Sequence, residues 1–292
     1  MINKIYFWLQ NSRLFSLPMA ILSWMVIFTY SLKFNGNVLN GILALIGIAC
    51  GQLATNLFDD YVDYKKLTSN SQQCKCAYIK EGKATLKEVL LVVITYCAVA
   101  FVIGVVLFLR TGFPVIWLAI VGGIVVLSYS KFSQIGLSEL AVGITFGPLL
   151  FEGVYYVMTQ SFSWEVLILS LAVVMFTIGL MYVHTILDFE GDLSSHKRTL
   201  VCRLGSKNLA INGIWVVYGL GYLFTFIFGF VAKNYLIFST IVLLPLIFKM
   251  YNSLKTFTCG GEVKEFYSRL LKARNLMVYY SLMAIICLLH TN

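Results

Sequence analysis

Residues 164–192 read WEVLILSLAVVMFTIGLMYVHTILDFEGD, a mostly apolar run that ends in a cluster of acidic residues. Residues 164–187 are long enough to cross the hydrocarbon core of a bilayer as a helix, which takes about 20 residues. The run does not alternate polar and apolar residues, as an outer-membrane strand would. The stretch therefore predicts a membrane-spanning helix with carboxylates at one end.

The rest of the chain has the same character. Of its 292 residues, 59% are hydrophobic and 12% are charged, and the mean hydropathy is +0.84, whereas a soluble domain carries about 25% charged residues. We expect an all-α integral membrane protein with nine transmembrane helices around a central cavity, in one domain covering residues 1–292. The predicted spans are 14–33, 38–58, 88–109, 112–130, 137–160, 164–187, 208–230, 233–250 and 274–291.

The basic residues predict the orientation of these spans. With nine spans, all but three of the 22 Lys and Arg residues fall on the side of the N-terminus, the exceptions being Lys33, Arg110 and Lys233. Because basic loops stay in the cytosol, we expect an N-in, C-out topology in a bacterial-type inner membrane, with long cytosolic loops at 59–87 and 251–273. Topology and anionic lipid explain the net charge of +9, so nucleic acid is not an expected partner. The oligomeric state is not specified.

The first acidic cluster is NLFDDYVD at residues 56–63. If span 2 continues as a helix, Asn56, Asp60 and Asp63 share one stripe, and Asp59 lies about 60° to the side of Asn56. Carboxylates on one helix face repel each other unless a cation is bound between them. The cluster therefore predicts a divalent-metal site at the cytosolic surface.

The second cluster follows span 6. Asp188 and Asp192 are four residues apart and share a helix face, while Glu190 points elsewhere as a solvated charge. His184 lies one turn earlier on the same face, where it binds an acceptor, orients a carboxylate or simply packs. Two carboxylate groups facing one cavity suit Mg²⁺ ions that hold a phosphate-bearing substrate.

Nearby charges extend this candidate site. Lys66 follows the first cluster, Lys197 follows the second, and Lys131 lies in a short loop between spans 4 and 5; each is a candidate phosphate partner or a topological signal. Glu139, at the start of span 5, either stabilises a helix N-terminus or binds or deprotonates an acceptor. No Walker A, Rossmann, nucleophile-elbow or HExxH motif occurs, so ATP hydrolysis, redox chemistry and proteolysis lack support.

Taken together, NLFDDYVD and DFEGDLSSHKRTLVCRLG resemble the paired aspartate-rich motifs of the UbiA superfamily of intramembrane prenyltransferases. The resemblance covers nearly the whole chain and implies the nine-span fold of that family. The N-x-x-x-D-Y-x-D form of the first motif, SYSK with GLSEL at 128–140, and FGPL with GVYYVMTQ at 146–160 resemble the 1,4-dihydroxy-2-naphthoate polyprenyltransferases of menaquinone synthesis.

The resemblance assigns the acidic clusters to Mg²⁺ and the basic residues to diphosphate. The residues concerned are Asn56, Asp59, Asp60, Asp63, Lys131, Asp188, Asp192 and Lys197. Two positions depart from the family pattern. Lys80, before Gly82, or alternatively Lys75, stands in for an Arg of the family, and Ser138 stands where a Gly precedes the Glu. Lys cannot bind phosphate as a planar fork, as Arg does. Both departures affect the identity of the acceptor more than the reaction class.

The expected activity is Mg²⁺-dependent transfer of a polyprenyl group from polyprenyl diphosphate to an aromatic acceptor. The C–O bond ionises to an allylic cation, an electron-rich ring attacks it, and an apolar cavity excludes water. The acceptor could instead be 4-hydroxybenzoate, homogentisate or a glycerol-phosphate lipid, or the cation could cyclise without an acceptor. A cation-coupled transporter is the alternative from another class.

Overall fold

The computed structural model describes residues 2–66, 76–194, 199–257 and 263–290. Within these ranges the chain forms helices and no strand, which confirms the all-α prediction. The α-helices, numbered in chain order, are α1 (Ile2–Asn11), α2 (Leu17–Leu32), α3 (Val38–Lys66), α4 (Ala77–Lys80), α5 (Leu86–Thr111), α6 (Pro114–Gln134), α7 (Ser138–Ile144), α8 (Leu150–Thr159), α9 (Trp164–Leu187), α10 (Phe189–Ser194), α11 (Leu200–Arg203), α12 (Lys207–Val231), α13 (Leu244–Lys255) and α14 (Val263–His290). The 3₁₀ segments Leu14–Ser16 and Tyr235–Leu243 precede α2 and α13.

Eight segments of the described chain are long and apolar enough to cross a membrane, so the protein is an integral membrane protein. These segments are Leu14–Leu32, Val38–Lys65, Leu86–Thr111, Ser138–Thr159, Trp164–Leu187, Lys207–Val231, Tyr235–Lys255 and Lys264–His290. The predicted fourth span corresponds to a shorter apolar stretch, Pro114–Tyr129 in α6. The count of nine, the central cavity and the N-in, C-out orientation therefore stay predictions.

The helices group into two compact units. Unit 1 comprises Met1–Ile21 and Asn37–Lys131, and unit 2 comprises Leu22–Gly36 and Phe132–Asn292. In unit 1 the main packing is between α3 and α5, and in unit 2 α9 packs against α12 and α14. Each unit carries one of the two acidic clusters. One domain covering residues 1–292 stays a prediction.

Small residues allow α9 and α12 to approach closely in unit 2. A Cβ atom added at Gly179 of α9 would lie 2.6 Å from the Tyr218 ring of α12. A second contact has the tyrosine on α9 and the glycine on α12: the Tyr182 hydroxyl lies over Gly213 and donates to the carbonyl of Ala210 at 2.8 Å. Membrane helices, which gain little from hydrophobic burial, associate through such close contacts. This packing fixes the end of α9, where the second acidic cluster begins.

The predicted cytosolic loops are shorter in the structure than in the sequence interpretation. Helix α3 continues beyond the predicted end of its span to Lys66, and α14 begins at Val263, so the prediction of a loop over 251–273 was wrong. The first turns of α14 are polar and basic, which hides them from a hydropathy pattern although they are helical. An i, i+4 ion pair, with Arg269 Nη1 3.0 Å from Glu265 Oε2, supports this end of the helix.

Candidate active site

The first acidic cluster lies on α3, as the helical continuation predicts. Asp59 and Asp60 are buried, with only 6% and 3% of their surface exposed, while Asn56 and Asp63 are half-buried. Helical periodicity keeps Asn56, Asp60 and Asp63 on one stripe. Buried carboxylates require a partner that offsets their loss of hydration.

Arg13, from the segment before α2, is one such partner and was not predicted as a site residue. Its guanidinium donates to Asp60 Oδ1, and Nη2 lies 3.7 Å from Asp59 Oδ2. Burial lowers the pKa of Arg13, but the charges of Asp60 and Asp59 outweigh burial and raise it above the ordinary value. The arginine is therefore a permanent cation beside the cluster. The sequence showed it only as one basic residue among many near a predicted span.

Polar side chains of α3 hold the segment that carries Arg13. The amide nitrogen of Asn56 donates to the Ser12 carbonyl at 2.9 Å and to Ser16 Oγ at 3.1 Å. One turn earlier, Gln52 donates to the Ser16 carbonyl at 2.9 Å. Because these bonds use the amide nitrogen of Asn56, its amide oxygen is the atom available to a cation.

Two further residues lie beside Asp60. The Cys76 thiol donates to the Asp60 carbonyl oxygen at 3.2 Å. Burial, followed by the negative charges of Asp60 and Asp63, raises the pKa of Cys76 to about 12. Burial and the charge of Asp60 also raise the pKa of Tyr78, whose hydroxyl is buried near Asp60. The Cys76 thiol and the Tyr78 hydroxyl therefore keep their protons at neutral pH.

The second acidic cluster lies where α9 ends. Asp188 is the C-terminal cap of α9, and α10 starts at the next residue. The two aspartates therefore do not share a face of one continuous helix, and that prediction was wrong. The i, i+4 relation nevertheless persists, because the Asp192 amide donates to the Asp188 carbonyl at 2.8 Å. Asp192 is buried, while the Asp188 side chain is 42% exposed.

His184 contacts the Asp188 carboxylate, which is the geometry that the orienting role, one of its three predicted roles, requires. Its Nδ1 lies 3.2 Å from Asp188 Oδ2. The imidazole ring also makes an edge contact with Phe266 of α14, with ring centroids 5.7 Å apart. Outer partners of metal ligands commonly make such contacts with a carboxylate, so the orienting role stays a prediction.

Glu139 is buried at the start of α7, with 5% of its surface exposed. Ser138 Oγ donates to its Oε2 at 3.0 Å, whereas Oε1 is buried without a hydrogen-bond partner. An unsatisfied buried carboxylate oxygen is costly and calls for an explanation. Stabilisation of a helix N-terminus alone does not account for the oxygen that lacks a partner.

The predicted basic residues are only partly placed. Lys131 is exposed, but it lies in the last turn of α6 and not in a short loop, so that expectation was wrong. The polar SYSKFS stretch simply continues the apolar helix. Lys80 is exposed at the end of α4. Lys66 is the last residue of α3, and its side chain, like the whole of Lys197, lies outside the described residues.

The donor atoms suit Mg²⁺ better than a softer metal. In the described part of the chain, no three His, Cys, Asp or Glu side chains form a ready-made metal site. Mg²⁺ does not need one, because it is usually held by one or two carboxylates together with substrate phosphates. The oxygens of Asn56, Asp60 and Asp63, and those of Asp188 and Asp192, fit this pattern.

Both motifs and the helical fold agree with the comparison to known families. The model of the UbiA prenyltransferase family matches residues 17–259. The chain therefore belongs to the UbiA prenyltransferase family, and it is a membrane-embedded prenyltransferase.

Curated relatives carry names from naphthoquinone chemistry. The chain is 28% identical over 228 residues to the 1,4-dihydroxy-2-naphthoate octaprenyltransferase of Haemophilus influenzae, covering 70% of this chain and 72% of that one. It is 24% identical to the enzyme of the same name from Bacillus subtilis, over 57% and 58% of the two chains. A 2-carboxy-1,4-naphthoquinone phytyltransferase from Synechocystis is 32% identical over 32% of each chain.

Solved structures share the fold at low identity. A UbiA homologue from Archaeoglobus fulgidus bound to GPP and Mg²⁺ matches with a TM-score of 0.61 and 12% identity, over 96% of this chain and 99% of that one. A UbiA homologue from Aeropyrum pernix matches with a TM-score of 0.68 and 13% identity, over 92% and 98%. At such identities the likeness shows the fold alone.

Proposed function

We propose that the protein transfers a polyprenyl group from polyprenyl diphosphate to 1,4-dihydroxy-2-naphthoate in an Mg²⁺-dependent reaction. The observation that carries this proposal is the acidic cluster of α3, in which the buried Asp60 and the half-buried Asn56 and Asp63 lie on one stripe. The names of the curated relatives support the naphthoate as acceptor.

The proposal gives the acidic residues one task. Asn56, Asp60 and Asp63 would hold one Mg²⁺, and Asp188 and Asp192 another. Mg²⁺, when bound, supplies positive charge that stabilises the departing pyrophosphate. His184 keeps Asp188 in position for this task, and the exposed Lys80 and Lys131 are proposed to neutralise remaining phosphate charge.

The chemistry requires one bond to break and one to form. The allylic C–O bond of the prenyl diphosphate ionises, and pyrophosphate leaves with the electron pair. The ring carbon of the acceptor that bears the carboxylate attacks the cation. CO₂ is then lost from that carbon, which restores the aromatic ring. We propose that Glu139 binds the acceptor and takes up a hydroxyl proton, because its Oε1 is buried and unpartnered.

The testing experiment measures pyrophosphate release by the purified protein in detergent. A long-chain prenyl diphosphate is supplied with Mg²⁺ or EDTA, and with or without 1,4-dihydroxy-2-naphthoate. Release that needs both Mg²⁺ and the naphthoate, together with a prenylated, decarboxylated product, is the expected result. Mg²⁺-dependent release without the naphthoate would instead favour a cyclase, and release only with another acceptor would reassign the substrate.

A further inference from the structure

Arg13 has an unusual backbone conformation for a residue with a side chain. Its φ and ψ angles are 59° and 52°, in the left-handed region, immediately before the 3₁₀ segment Leu14–Ser16. This conformation is unfavourable for L-residues other than Gly, and it persists only where surrounding contacts determine it.

The contacts that determine it come from one face of α3. Gln52, Asn56 and Asp60 are spaced by four residues and bind Ser16, Ser12 and Arg13 in turn. This face is the same stripe that carries the proposed Mg²⁺ ligands. Segment 12–16 is therefore hydrogen-bonded to the face of α3 that carries the proposed Mg²⁺ ligands.

The charges of Asp59 and Asp60 explain why an arginine lies beside them. Asp59 and Asp60 are adjacent and buried, and two such carboxylates repel each other unless a cation lies beside them. Arg13 contacts both of them. A divalent cation at Asp60 would stand close to the guanidinium and repel it, so the two cations are alternative partners of one carboxylate.

We propose that Arg13 is a positioning residue that occupies Asp60 until Mg²⁺ binds and thereby sets the affinity of the first metal site. The proposal rests on the proposed function, because it requires Asp60 to be a metal ligand. Arg13 holds the Asp60 carboxylate in its rotamer while no metal is present. Metal binding then displaces the guanidinium and loosens segment 12–16 from α3.

The test measures Mn²⁺ binding by electron paramagnetic resonance in detergent, without prenyl diphosphate. Arg13→Gln should bind Mn²⁺ at least about fivefold more tightly than the wild type, because the competing cation is gone. Arg13→Lys keeps the charge but lacks the planar fork, so it should also tighten Mn²⁺ binding, by a smaller factor. This variant replaces Arg13→Gln in the test if Arg13→Gln does not fold. Addition of Mg²⁺ to the wild type should also speed amide hydrogen exchange in residues 12–16.

Lys65→Gln is the matched control, because Lys65 lies over the Tyr61 ring of the same helix end, 4.3 Å from the ring centroid. If Lys65→Gln tightens Mn²⁺ binding as much as Arg13→Gln does, only distant charge is acting and the proposal is overturned. Unchanged or weaker binding in both Arg13 variants would overturn it too, and would leave the prenyltransferase assignment intact. Failure of the wild type to bind Mn²⁺ even with prenyl diphosphate would instead overturn the proposed metal site.

Discussion

His184 Nδ1 lies 3.2 Å from Asp188 Oδ2, one helical turn away at the end of α9. The contact is local in sequence and holds the more exposed of the two carboxylates in the second cluster. Under the proposed function, Asp188 would bind the metal and His184 would orient Asp188.

Replacement of His184 by Gln should therefore weaken the enzyme without abolishing it. Loss of an outer partner of a metal ligand costs about 10- to 100-fold in metal affinity or activity. The measurement is the Mg²⁺ concentration for half-maximal pyrophosphate release. His290→Gln, at the far end of α14, is the control, and an equal effect in both variants would exclude an orienting role for His184.

Asp60→Asn and Asp192→Asn should each reduce turnover by at least about a thousandfold, because charge stabilisation of the leaving group is lost from one metal site. Glu190→Gln provides a matched control, since Glu190 lies between Asp188 and Asp192 in sequence but is exposed. Near-normal activity in either Asp variant would contradict the metal assignment of that cluster.

Glu139→Gln should lower the rate of product formation by about a hundredfold, the lower range for general acid–base catalysis. Binding of the prenyl diphosphate should not change, because the residue is proposed to act on the acceptor. Glu152→Gln is the comparison, as Glu152 is a half-buried acid of α8 that accepts from the Ser163 amide at 3.5 Å. If Glu139→Gln reaches wild-type rates, the carboxylate has only a structural role.

Gly179→Ala should destabilise the protein by about 1–3 kcal/mol, since its Cβ would lie 2.6 Å from the buried Tyr218 ring. Gly219→Ala on α12 meets nothing within 4 Å and should be neutral or slightly stabilising. Thermal unfolding in detergent compares the two. Equal melting temperatures would show that α9 and α12 relax easily.

Cys76 should resist alkylation at pH 8. Its thiol pKa is raised to about 12, so only about one molecule in ten thousand carries the reactive thiolate at that pH. Reactivity should rise as the pH approaches the raised pKa, and not fall. Mass spectrometry after iodoacetamide treatment would test this against the half-buried Cys202; rapid modification of Cys76 at pH 8 would show that the site around Asp60 is open.

Sequence patterns predicted most where physical constraints are local. The apolar runs predicted helices because a membrane helix must satisfy its own backbone, and i, i+4 spacing placed His184 on the face of Asp188. Prediction failed where polarity hid a helix, as in the first turns of α14, and where an apolar helix continued through polar residues, as at Lys131.

The sequence by itself determined that this is an all-α membrane protein with two acidic motifs of a prenyltransferase family. Hydropathy and short-range spacing are properties of the chain, and they need no knowledge of distant contacts. Only the tertiary structure decided that Arg13 is the partner of Asp60, 47 positions away, and that one oxygen of Glu139 is buried without a partner. Burial and ion pairing depend on which distant segments meet, and helical periodicity does not specify that.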